Sequence, residues 1–170
     1  MKEIKIMDTV LNPFSEIGND WFLITAKNKS GKINSMTGGW GNFGFIWRKP
    51  VVTVYIRPER YTYEIIEDSD YFSVCFFDKN YKKMLSYMGT VSGRDENKIE
   101  KSNLSVEEYE NIPYFKEAKK VFICKKLFSQ SFSEDSFHEK ELLNTFYTDS
   151  GLHKMYLGEI LKGYEERDDL

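Results

Sequence analysis

The chain has 170 residues, 24 Lys and Arg against 27 Asp and Glu, and a formal net charge of −3. That length supports one domain over residues 1–170, large enough to bury a core without disulfides. Mixed, slightly acidic charge argues against the basic face of a phosphate-tracking nucleic-acid binder, and an aromatic share of 16% argues against disorder.

The opening residues, MKEIKIMDTVLNP, alternate charged and apolar side chains and form neither a signal peptide nor a membrane helix. No later stretch approaches the roughly 20 apolar residues of a bilayer span, so a cytoplasmic protein with no membrane partner is expected. WFLITAK, Trp21 to Lys27, is β-rich and runs into the turn cluster NKSGK; a second strand begins near Ile33. VVTVYIR, Val51 to Arg57, opens after Pro50 and reads as a buried strand. RYTYEIIEDS, Arg60 to Ser69, follows Pro58 and predicts a helix. YFSVCFF, Tyr71 to Phe77, predicts a strand, and YKKMLSYMG, Tyr81 to Gly89, a helix with Met84, Leu85 and Met88 at helical spacing. NKIEK predicts a short helix and SVEEYENI a weaker one. VFICKKLFSQSF (Val121 to Phe132), ELLNTFYT (Glu141 to Thr148) and the closing HKMYLGEILKGY read as strands, and the acidic tail YEERDDL as fraying in solvent. Cys75 and Cys124 sit inside apolar runs, as buried inert thiols do. With two histidines and no C-x-x-C, no metal site is expected. Many short strands with a few interposed helices suggest a small antiparallel barrel with helices against its openings.

The run GGWGNFG places Gly39, Gly41 and Gly44 in a G-x-G-x-x-G spacing. A dinucleotide-binding turn needs a helix behind that motif, and Pro50 followed by VVTVYI excludes one. The uncharged stretch from Asn34 to Trp47 then has two readings. One is a tight barrel corner, bent at glycine and filled by rings. The other is a platform for a flat ligand, with Trp40 as a π-face and Asn34 or Thr37 meeting polar ring edges; an isoalloxazine meets those needs.

Arg57 and Arg60 stand three residues apart where a strand gives way to a helix, with Thr62 in the first helical turn. Together they could hold a phosphate dianion; singly, either could pair with Glu59 or Glu64. In TVSGRDENKIE, Ser92 and Gly93 form a turn and Asp95 could cap a short helix. Lys98 there either reaches an anion as a point charge or is solvated.

In order, N-S-M-T-G-G-W-G, W-R-K-P-V-V-T-V-Y-I-R-P-x-R-Y-T and S-G-R-D-x-x-K-I resemble the flavin reductase-like FMN-binding split-barrel proteins, the flavoredoxin branch above all. The resemblance runs from Trp21 to G-L-H-K-M-Y-L-G-E-I. It implies a mostly β fold, a six-stranded split barrel of Greek-key character with a few flanking helices, and a homodimer with FMN near the subunit interface. Asn34, Ser35, Met36 and Thr37 match the segment along the flavin ring, and Trp40 the aromatic near it. Arg57, Arg60, Tyr61 and Thr62 match the element near the ribityl chain and phosphate, and Ser92 and Lys98 match the second turn. His153 matches a histidine on the flavin or nicotinamide side of the pocket. His138 is read either as a surface residue or as a flavin contact.

What the resemblance implies for activity is an FMN-dependent oxidoreductase, taking electrons from NAD(P)H or exchanging them with a redox protein partner. Many relatives read G-D-H where this chain has Gly151-Leu152-His153, which makes a non-catalytic FMN electron carrier the alternative. No Ser/His/Asp set or carboxylate pair stands out, so no side chain is assigned as catalytic beyond the candidate His153. A barrel binding single-stranded nucleic acid through its aromatics is a further rival, disfavoured by the charge of −3.

Overall fold

The computed structural model describes residues 1–166. Among the described residues ten strands form: β1 (Lys2–Ile4), β2 (Phe22–Lys27), β3 (Ile33–Gly38), β4 (Gly41–Ile46), β5 (Lys49–Ile56), β6 (Tyr71–Phe76), β7 (Val106–Tyr109), β8 (Ile112–Phe115), β9 (Lys120–Ser131) and β10 (Lys154–Glu165). The helices are α1 (Pro13–Ser15), α2 (Tyr61–Glu67), α3 (Lys82–Thr90), α4 (Lys98–Lys101) and α5 (Glu141–Phe146). An eight-stranded antiparallel sheet follows the order β3-β2-β6-β9-β10-β5-β4, with β1 added on β10. The consecutive strands β3 and β4 are the two ends of that path, joined through Gly39 and Trp40. Where the resemblance implies six strands, eight share one sheet here.

Period-two alternation makes the central strands apolar on both faces. Phe22, Ile24 and Ala26 of β2, Phe72, Val74 and Phe76 of β6, and Phe122 and Cys124 of β9 fill the barrel interior, together with Ile65 and Ile66 of α2. The intervening Leu23, Cys75, Val121 and Ile123 pack under α3 (Leu85, Met88) and the β7–β8 hairpin (Ile112, Phe115). Both cysteines are free and buried, and burial pushes the Cys75 thiol up to about 11, so neither is a nucleophile at neutral pH.

Three readings change. ELLNTFYT is helical from Glu141 to Phe146, not a strand. Leu142 and Phe146 stand four residues apart on one helical face. SVEEYENI enters the β7–β8 hairpin, not a helix; Glu110 (φ 48°) and Asn111 (φ 67°) form the two-residue turn with both φ positive that suits such hairpins. The tail does not fray from its first residue, since Tyr164 and Glu165 pair with Val121 and Lys120. The rest of that tail, 167–170, lies outside the described residues. Strand β4 carried no sequence signal, because it is exposed and rich in glycine.

Candidate functional site

On β3, alternation sends Asn34 and Met36 to one face and Ser35 and Thr37 to the other. Ser35 is sealed in the sheet, 2.8 Å from the Thr25 hydroxyl, and Thr37 donates to the Leu85 carbonyl of α3. Asn34, 3% exposed, donates through Nδ2 to Thr62 Oγ1 at 2.9 Å. Across from this pair, a cavity of about 80 Å³ is lined by Asn34, Met36, Arg60, Thr62, Ser92 and Lys98. Tyr61 lines it too. Three segments far apart in sequence therefore meet at one small polar hollow. The loop at Ser92 comes this close because Gly93 has no side chain: a Cβ there would strike Asn34 Oδ1 and lie 3.0 Å from the Tyr61 ring.

The cations of the cavity are held by the carbonyl end of α3. Arg60 Nη1 donates to Gly89 O at 2.9 Å, and Lys98 Nζ to Met88 O at 2.8 Å and Val91 O at 3.0 Å. The negative end of the helix dipole favours them there. Lys98 is 4% exposed; burial, and then the nearby Arg60 charge, bring its pKa down to about 8. An ammonium has three N–H groups, so one of them remains for an anion. The Glu59 carboxylate also lines the cavity and accepts from Gly151 N; against that one negative charge stand two cations, the Thr62 and Ser92 hydroxyls and a buried amide, donors suited to a phosphate ester. Sequence reasoning placed the positive charge at the start of α2; the carbonyls of α3 do more of the positioning, and Gly89 at the end of that helix was the available signal.

Arg57 lies elsewhere. Pro58 and Glu59 separate it from Arg60, and its Nη2 donates to Phe146 O at 3.0 Å, with the guanidinium 5.3 Å from the Tyr147 ring centroid. This second cluster contains Trp40, whose ring lies 4.9 Å from that of His153 and 5.4 Å from that of Phe146. His153 Nδ1 and Tyr147 Oη share a hydrogen bond of 2.7 Å. Burial, and then Arg57, hold His153 down to about 4, so its imidazole is neutral at pH 7. Gly151 N donates to the Glu59 carboxylate and holds that group below the usual carboxylate range. Phe146 and Tyr147 were missed because their segment was read as a strand. His138 is exposed in the loop between β9 and α5.

The glycine run divides between the two readings offered for it. A Cβ at Gly41 would lie 2.8 Å from Thr53 O and 3.4 Å from Phe22, and one at Gly38 2.8 Å from Phe22. Those two glycines serve strand packing at the barrel corner. Trp40, between them, is 45% exposed, with its ring beside His153. Among the described residues, no group of three or more His, Cys, Asp or Glu could hold a metal ion.

Residues 14–170 match the family model of the flavin reductase like domain. The chain belongs to the flavin reductase-like family. Among solved structures, flavoredoxin from Methanosarcina acetivorans shares its fold with a TM-score of 0.70 at 26% identity, over 89% of this chain and 70% of that one. Flavoredoxin of Desulfovibrio vulgaris gives 0.67 at 21% identity over 88% and 73% of the two chains. The FMN-binding domain of a flavin reductases-like enzyme from Shewanella baltica gives 0.70 at 15% identity over 96% and 76%. At their identities these last two show the fold alone. No curated protein matches the sequence. The mostly β split barrel expected of the flavin reductase-like family is the fold described above.

Proposed function

We propose that this chain, as one domain, binds FMN and passes electrons through it as an oxidoreductase of flavin reductase or flavoredoxin type. The observation that carries the reading is the convergence of Asn34, Arg60, Thr62, Ser92 and Lys98 on one cavity of phosphate size. The donor chemistry of that cavity fits the phosphate of FMN. Arg60 and Lys98 would hold its charge, Thr62 and Ser92 its remaining oxygens, and Trp40 one edge of the ring. Bound FMN would supply the transfer of electrons, singly or in pairs. The chain's own part is to bind, orient and control protons. His153 stays neutral and shares one proton with Tyr147 Oη, so the pair can present a hydrogen-bond donor without adding charge near the ring.

The electron donor is NAD(P)H or a redox protein, in a cytoplasmic homodimer. A second reading, a flavin-binding carrier with negligible NAD(P)H turnover, is favoured by Leu152 where the resemblance implies Asp in many relatives, and by the hydrogen bond of His153 to Tyr147. Absorbance of the purified protein, followed by anaerobic addition of NADPH and then NADH, separates the readings. A flavin spectrum that bleaches promptly supports the reductase. One that persists supports the carrier, and colourless protein that FMN cannot reconstitute refutes both.

A further inference from the structure

Thr37 does not line the polar cavity, although its β3 neighbours Asn34 and Met36 do. The two-residue period of the strand turns it toward α3 instead, where its Oγ1 donates to Leu85 O at 2.5 Å. A second contact lies one turn further along that helix. A Cβ at Gly89 would stand 3.1 Å from Thr37 Cβ and 3.5 Å from Thr37 Oγ1, tighter than ordinary packing. Glycine inside a helix is destabilising relative to alanine, and Gly89 has no left-handed φ that would require it. What its missing side chain permits is the close approach of Thr37. Gly89 is also the residue whose carbonyl accepts from Arg60, and Met88 O and Val91 O accept from Lys98. Thr37 therefore grips α3 at the turn that holds both cations. Leu85 and Met88 anchor the same helix in the core, but apolar contact is non-directional. A hydrogen bond fixes position along β3 far more narrowly.

We infer that Thr37 is a positioning residue for the two cations of the cavity. Through Leu85 O and the contact at Gly89 it sets where the last carbonyls of α3 stand, and so where Arg60 and Lys98 present their N–H groups. The resemblance places Thr37 along the flavin ring; here its one hydroxyl proton is engaged by the helix. Thr37 is followed directly by Gly38, Gly39 and Trp40, so the same residue joins the barrel corner to the cation cluster. The inference rests on the phosphate reading of the cavity and adds the element that sets its geometry.

The test titrates flavin-free protein with inorganic phosphate, FMN and riboflavin, in wild type, Thr37→Val, Thr37→Ser, Arg60→Ala and the Thr37→Val/Arg60→Ala double variant, with thermal melting as the check on folding. Valine keeps the shape and removes the hydroxyl; serine keeps the hydroxyl. Thr37→Val should weaken FMN and inorganic phosphate about fivefold or more and riboflavin less than about twofold, and Thr37→Ser should bind FMN within about twofold of wild type. Because Thr37 acts through the carbonyl that holds Arg60, the loss in the double variant should fall short of the product of the single losses by about threefold or more. A purely structural role would not produce that shortfall. Gly89→Ala, which presses α3 away from Thr37, should reproduce the selective loss of FMN. Equal losses of FMN and riboflavin in Thr37→Val would return the hydroxyl to the flavin ring and overturn the inference, as would single losses that simply multiply. If Arg60→Ala weakens FMN selectively while Thr37→Val changes nothing, the positioning role falls and the phosphate reading stands. If wild type binds FMN no better than riboflavin and Arg60→Ala alters neither, both fall.

Discussion

Lys98→Met tests the phosphate cavity most sharply, because it keeps the aliphatic stem and removes only the buried charge. Lys98 is 4% exposed and its Nζ already holds the carbonyls of Met88 and Val91. A charge-assisted hydrogen bond to phosphate contributes about 1.5–3 kcal/mol, so FMN affinity should fall about 10- to 150-fold. Riboflavin, which lacks the phosphate, should change less than about threefold. Fluorescence titration of flavin-free protein with both ligands measures this, with thermal melting as the check on folding. The pH dependence supplies a second arm. Free Lys98 has its pKa lowered to about 8 by burial and by Arg60, so raising pH above that value removes the charge and wild-type FMN affinity should decline. Folding stability moves the other way. Between pH 8 and the ordinary 10.5, the unfolded chain keeps a proton that the folded chain has lost, so stability rises with pH. In Lys98→Met both trends should flatten. Equal losses for FMN and riboflavin, or wild-type pH profiles in the variant, would refute the phosphate assignment.

The two arginines should separate in the same titration. Arg60→Ala should weaken FMN at least about tenfold and spare riboflavin, while Arg57→Ala, which frees Phe146 O and the Tyr147 ring, should alter both ligands alike. Acid stability should report on His153, held at about 4 in the fold against 6.5 when unfolded. Across that window the unfolded chain binds the extra proton, so stability falls as pH drops; the urea midpoint should fall less between pH 7 and 5 in His153→Gln than in wild type. Gly41→Val should lower the melting temperature through a clash with Thr53 O, costing on the order of 1–3 kcal/mol, whereas Gly44→Val meets open space and should be nearly neutral. Melting curves for the two variants that coincide would show that the glycine run has no packing role at Gly41.

The barrel was legible where strands are buried on both faces, because runs such as FLITA, YFSVCFF and VFIC leave little room for a helical period. Strand β4 was not legible. Its residues are glycine and exposed aromatics, and only pairing with β5 makes it a strand. The polar cavity could be assembled from its motifs, since Asn34, Arg60, Thr62, Ser92 and Lys98 all carry polar chemistry in uncommon settings. What sequence could not show was how Pro58 and Glu59 part Arg57 from Arg60 and send them to different clusters. It also hid the partner of His153: Tyr147 follows a four-residue-spaced apolar pair that favours a helix, yet its β-prone composition suggested a strand.

The account stands or falls on where the phosphate of FMN sits. A crystal structure of the protein with FMN tests it directly. It should show phosphate oxygens within hydrogen-bonding distance of Lys98 Nζ, Arg60 and the Thr62 and Ser92 hydroxyls, with the ring passing Trp40. Flavin density bound away from that cavity, with Lys98 still turned only to the carbonyls of Met88 and Val91, would contradict it.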